Sequence, residues 1–94
     1  MTDKTMTSND DTLLEFPCQF PIKAMGLASN DFDAIVVSLI RPHVDDILEG
    51  AVKTRASSNG KYLSVTVTFT ATSKAQLDTI YHALTGDNRV MTVL

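Results

Sequence analysis

From Leu63 to Ala71 the chain alternates apolar and hydroxyl residues without a break. Successive side chains of a strand point to opposite faces of its sheet. Leu63, Val65, Val67, Phe69 and Ala71 therefore share one face, and Ser64, Thr66, Thr68 and Thr70 share the other. The β-branched content suits a strand. So clean a division demands a sheet that is covered on one side and open on the other.

The neighbouring segments extend that sheet. Ser58-Asn59-Gly60 is a turn signal in which Asn-Gly supplies the positive φ angles of a tight hairpin. Before it, Gly50 to Ser57 alternates Ala51, Lys53 and Arg55 against Val52, Thr54 and Ala56, a strand with one charged face. Cys18 to Leu27 is a further strand, with Phe20, Ile22, Ala24 and Gly26 on one face and Pro21, Lys23, Met25 and Leu27 on the other. Pro21 cannot donate to a ladder, so the start of this strand is expected to be an edge or an irregular entry. Asn88 to Leu94 supplies the last strand.

Two helices complete the pattern. Asn30-Asp31 offers an N-cap and an acidic first turn, and Phe32, Ile35, Val36, Leu39 and Ile40 then recur at helical spacing. Pro42 should end this helix near Ile40. His43 to Glu49 fits either a short helical stretch or a loop. Ser73 with Gln76 forms a capping box ahead of Leu77, Ile80, Tyr81 and Leu84, and Gly86 suits the position just past the helix end.

The order of elements is βαββαβ, the ferredoxin-like pattern of the α+β class. Right-handed crossovers place both helices on one face of a four-stranded antiparallel sheet. Residues 1–12 read as a disordered tail. Residues 13–94 form the single domain, beginning with Leu13-Leu14-Glu15-Phe16-Pro17 as a strap against it.

Composition narrows the function classes. The chain has 94 residues, room for one core, and no apolar run near the ~18–20 residues that span a bilayer. The polar N-terminus lacks the basic start and apolar middle of a signal peptide, so a cytoplasmic protein is expected. A single Cys18 fits a reducing compartment. Net charge is −3, divided into −6 over residues 1–49 and +3 over residues 50–94. An acidic chain is a poor polyanion binder overall, although its two faces can differ in sign. The outward positions of the alternating strand are Ser and Thr, where RNA-binding sheets of this topology carry stacking aromatics.

Cys18, His43 and His82 lie in different elements with no ligand pair at motif spacing, so neither a metal centre nor a nucleophile is expected. Asp45, Asp46 and Glu49 read as a solvated surface cluster. Lys53, Arg55 and Lys61 flank the hairpin and could meet phosphate or an acidic partner, but charge protecting an edge strand is the plainer reading. The segment Gly26-Leu27-Ala28-Ser29-Asn30 joins the first strand to the first helix. Its glycine permits close approach, and the helix N-terminus offers free N–H groups, so it is the candidate ligand-binding loop.

Leu13-Leu14-Glu15-Phe16-Pro17, Lys23-Ala24-Met25-Gly26, Ser57 to Val65 and the closing Val93-Leu94 together resemble the small bacterial YbeD family in order and spacing. The resemblance covers nearly all the chain after the tail; Pro42 to Glu49 departs from the family pattern. It implies a fold similar to the ACT-like regulatory domains, which pair through sheets or helices and bind small effectors near the first strand-to-helix loop. It also implies a link to lipoate metabolism through genome context. Amino-acid-binding ACT domains commonly carry an Asp-x-x-Gly type of turn, where this chain has Met25-Gly26-Leu27 and then Asn30.

The expectation is a non-enzymatic regulatory or adaptor domain without cofactor or metal. Its partner would be another protein, a second copy of itself, or a small carboxylate effector, with neither nucleic acid nor membrane involved. A small enzyme using Cys18 or a histidine, and a nucleic-acid-binding module, are the competing classes.

Overall fold

The structure is a computed structural model that describes residues 15–28 and 31–94. The tail expected over residues 1–12, the leucines of the strap, and Ser29 and Asn30 lie outside the described residues.

The alternating segment is the strand β3, Tyr62–Ala71, and it forms the spine of the sheet. It pairs antiparallel with β1, Cys18–Leu27, along the full length of both. On its other side it pairs with β2, Val52–Ala56. A two-residue β4, Thr92–Val93, pairs with β1, giving the order β2-β3-β1-β4. Between the strands run α1, Phe32–Ile40, and α2, Lys74–Thr85. The chain is α+β with βαββαβ order and a four-stranded antiparallel sheet.

Register decides the core. Ile22 sits opposite Val67, and Ala24 opposite Val65, so these share a face with Phe69 and Ala71. All six are buried against Phe32, Val36 and Ile40 of α1 and Leu77, Ile80 and Leu84 of α2. Both helices therefore cover the same face. Leu63, of the same alternation, is only half-buried because it lies near the hairpin end of β3. Pro21 is accommodated as its chemistry requires: β4 and its flanks reach β1 only from Lys23 onward, so β1 begins as an edge.

Several local expectations are refined. α1 ends at Ile40, and Arg41–His43 form one 3₁₀ turn containing Pro42; residues 44–49 form an irregular loop. In the hairpin only Gly60 has positive φ. The loop is wider than a two-residue turn, closing with Ser57 N–H donating to the Tyr62 carbonyl at 2.9 Å. Asn59 holds it from within, its side-chain oxygen accepting from the Lys61 N–H and the Ser57 hydroxyl.

At the start of α2 the Gln76 N–H donates to the Ser73 hydroxyl at 3.0 Å. The Gln76 side chain does not return to Ser73. Its oxygen accepts from the Thr72 N–H at 2.7 Å, and its nitrogen donates to the His43 carbonyl at 2.8 Å, tying the 3₁₀ turn to α2. Gly86 has ordinary negative φ and is not the left-handed cap its residue type suggested. β4 is shorter than Asn88–Leu94 because residues 86–89 turn; Val90 N–H donates to the Asp87 carbonyl at 3.0 Å.

Candidate functional site

The face of the sheet opposite the helices carries the densest unmatched chemistry among the described residues. β3 supplies Tyr62, Ser64, Thr66, Thr68 and Thr70 to it. Register puts Lys53 of β2 opposite Thr66, and Thr66 opposite Lys23 of β1. Neighbouring strands lie about 4.8 Å apart, so the two lysines start about 10 Å apart with a threonine between them. The next outward row is Arg55, Ser64 and Met25.

Lys23, Lys53, Thr54, Arg55, Ser64 and Thr66 line a depression of about 290 Å³. Its floor is hydroxyl and its walls are cationic. Arg55 and Ser64 also border a second depression of about 200 Å³, with Met25, Ala56, Ser57 and Tyr62. Lys61 places its ammonium 5.5 Å from the Tyr62 ring centroid. The paired outward positions of β1, β2 and β3 hold no acidic side chain. The ion pairs among the described residues, Lys74–Asp78 and Asp87–Arg89, involve none of the three cations. Among the described residues, Asp46 and Glu49 share a cleft of about 320 Å³ with Lys53, Thr68 and Thr70, on the side of Lys53 away from Arg55.

The loop singled out from the sequence has a different local logic. Gly26 is buried, and a Cβ there would stand 2.5 Å from the Phe32 ring and 2.6 Å from the Arg89 carbonyl oxygen. The missing side chain therefore admits the first residue of α1. Leu27 and Ala28 are exposed, and the Ala28 N–H donates to the Lys61 carbonyl at 2.8 Å. Asp31 occupies the N-cap position with φ 69° and no side-chain cap bond, and Asp33 lies in the first turn. Two carboxylates at this helix end compete with any carboxylate ligand for its partial positive charge. Leu27 and Phe32 do line an apolar cleft of about 330 Å³ with Asn88, Arg89 and Met91.

The Arg89 guanidinium is engaged beside that cleft, donating from Nε and NH2 to the two oxygens of Asp87 at 2.9 and 2.6 Å. These bonds hold the Asp87 carboxyl down at about 2 and raise the guanidinium further.

The titratable trio stays dispersed. Cys18 opens β1, paired with Ala71. His43 is anchored beside Gln76 in the first turn of α2, whereas His82 is in the last turn, about 9 Å along the axis at about 1.5 Å per residue. Among the described residues no three of His, Cys, Asp and Glu are placed to hold a metal ion. No helix among them is long and apolar enough to cross a membrane.

Comparison with known proteins adds the lineage. Residues 11–94 match the family described as "Protein of unknown function (DUF493)". The chain belongs to this family. It is 46% identical over 89 residues to a UPF0250 protein of Paraburkholderia phytofirmans, covering 95% of this chain and 100% of that one. It is 44% identical over 89 residues to a UPF0250 protein of Chromobacterium violaceum, again covering 95% and 100%. The YbeD-like resemblance of the sequence is thereby established. The solution structure of HP0495 from H. pylori superposes with a TM-score of 0.72 over 98% of both chains at 15% identity, which shows a shared fold.

Lys23 is the residue that sequence reasoning left out of the basic cluster. Its signal was present, because alternation around Ile22 and Ala24 turns Lys23 outward. What was lacking was the strand order that sets β3 alone between Lys23 and Lys53.

Proposed function

We propose that the chain is a non-catalytic regulatory or adaptor domain that acts by binding, with the open sheet face as its contact surface for an anionic group. The observation that carries this reading is the row Lys53–Thr66–Lys23, with Arg55 beside it, on a face without acidic side chains at its paired positions. The sheet fixes the backbone positions of these cations, so their charges converge on one place. Ordering each exposed side chain on an anion costs about 0.5–1.5 kcal/mol, which the charge complementarity must offset. The charge cluster of β2 thus gains a purpose beyond guarding an edge. The dispersion of Cys18, His43 and His82 favours binding over chemistry. The link to lipoate metabolism enters as a growth condition for the test.

The test is affinity isolation from native cells, with and without lipoate limitation, using the wild type and the double variant Lys53→Glu, Arg55→Glu. Proteins and co-purified small molecules are identified by mass spectrometry. The reading expects a specific protein or metabolite that the wild type retains and the folded double variant loses. Identical retention by both removes the open face from function. Turnover in a broad activity screen that is abolished by Cys18→Ala, His43→Ala or His82→Ala removes the non-catalytic reading.

A further inference from the structure

Resting on that reading of the open face, we propose that it holds a specific site for a small ligand combining a phosphate or similar dianion with a planar apolar portion. The two depressions on this face share Arg55 and Ser64, so they form one trough along β3. Its ends differ in chemistry. Over Thr66 and Ser64 the floor offers hydroxyls, and Lys23 rises on one side with Lys53 and Arg55 on the other. Toward the hairpin, Met25 and Tyr62 add a thioether and an aromatic ring beside Arg55, with the Lys61 ammonium 5.5 Å from the ring centroid. Same-face positions along a strand are about 6.8 Å apart, so these compartments lie within the span of one small molecule.

Polarity fixes the ligand's direction. Asp46 and Glu49 stand at the Thr68–Thr70 end, beyond Lys53. They repel an anion that strays that way, and the body of the ligand is directed toward Met25 and Tyr62. A dianion centred over Thr66 meets ammonium groups from both sides and a hydroxyl from below. Arg55 stands where the anionic and apolar portions join. Its guanidinium can donate to an anionic oxygen and also stack on a ring. Tyr62 gives the ring a second surface. A long polyanion would extend past this basic patch over a chain whose overall net charge is −3, and is a poorer fit than a small ligand.

The probe is 1-naphthyl phosphate, with inorganic phosphate and 1-naphthol as its separate halves, titrated into the ¹⁵N-labelled full chain at low and physiological salt. Amide shifts should concentrate at Lys23, Met25, Arg55, Ser64 and Thr66. The whole probe should bind at least about tenfold more tightly than either half, the factor supplied by about 1.4 kcal/mol of additional contact. Arg55→Ala should erase that advantage while the spectrum keeps its dispersion. Thr66→Val should weaken inorganic phosphate and leave 1-naphthol unchanged. Equal affinities for all three compounds, shifts centred elsewhere, or an unaltered Arg55→Ala titration would overturn the site. If 1-naphthyl phosphate fails while Lys53→Glu, Arg55→Glu still loses its cellular partner, this inference falls and the broader reading stands. If both tests fail, both fall.

Discussion

On the helix side of the sheet, Ile22, Ala24, Val65 and Val67 are wholly buried; on the other side, one residue along, stand Lys23, Arg55, Ser64 and Thr66. β1 and β3 carry both sets, and β2 adds Arg55 to the open side. On the covered side, burial of aliphatic side chains against α1 and α2 makes the domain stable. On the open side, side chains contribute little to that burial and can be chosen for what they contact. The backbone joins the two, because the packed side holds the strands in the register that sets the cations around Thr66. Changes on one face should therefore alter stability and changes on the other should alter binding, and the comparison can be attacked from either side.

The largest effect should come from Phe69→Ala. The ring is 2% exposed and packs beside Phe20 at a centroid distance of 6.2 Å. A loss of about 3–5 kcal/mol is expected in urea unfolding. A loss below about 1 kcal/mol would mean that the helix-covered face is not the core.

Gly26→Ala should cost about 1–3 kcal/mol through overpacking. The Phe32 ring could swing aside, but the Arg89 carbonyl belongs to the backbone. Unfolding that matches wild type would show that the α1 approach is looser than described. Because of this clash, substitution at Gly26 tests packing and does not test ligand binding.

Ser73→Ala removes the acceptor for the Gln76 N–H and should cost about 1 kcal/mol. Its thermal midpoint, compared with that of Phe69→Ala, ranks a cap on the helix layer against the core beneath it. Lys53→Ala and Arg55→Ala lie on the exposed side and should change stability by no more than about 0.5 kcal/mol. A much larger loss would mean that the open face holds up the fold, and the separation of roles would fail.

The smallest effect concerns pH. The folded Asp87 carboxyl sits at about 2, below its ordinary value, because Arg89 donates to it. A depressed carboxyl stabilises the fold above its unfolded pKa, about 3.9, and that contribution is lost as pH falls toward the folded value. The stability gap between wild type and Asp87→Asn should thus shrink as pH falls through that window. A gap that stays constant would show that the pair does not distinguish folded from unfolded chains.

Much of the covered face was legible in the sequence. The alternation of β3, the helical spacing of Phe32, Val36 and Ile40, and the Ser73 cap are local patterns, and each led to the element found there. Turn details were less legible. Asn59-Gly60 announced a hairpin, yet a wider loop formed because the Asn59 side chain could satisfy two donors from inside it. Gly86 suggested a left-handed cap, whereas the chain turns there with negative φ.

By itself the sequence determined which side chains share a face, since the two-residue period of a strand and the helical period are properties of consecutive residues. It also determined that β3 would have one apolar face and one hydroxyl face. The tertiary structure decided which faces became neighbours. Lys23 and Lys53 are separated by 29 intervening positions in sequence, and only β3 lying between their strands brings them to either side of Thr66. The packing of Phe32 decided that Gly26 serves close approach, and the docking of the 3₁₀ turn decided where the Gln76 amide points. Such pairings depend on strand order and on the space left when the core closes, and neither is encoded in the spacing of any one segment.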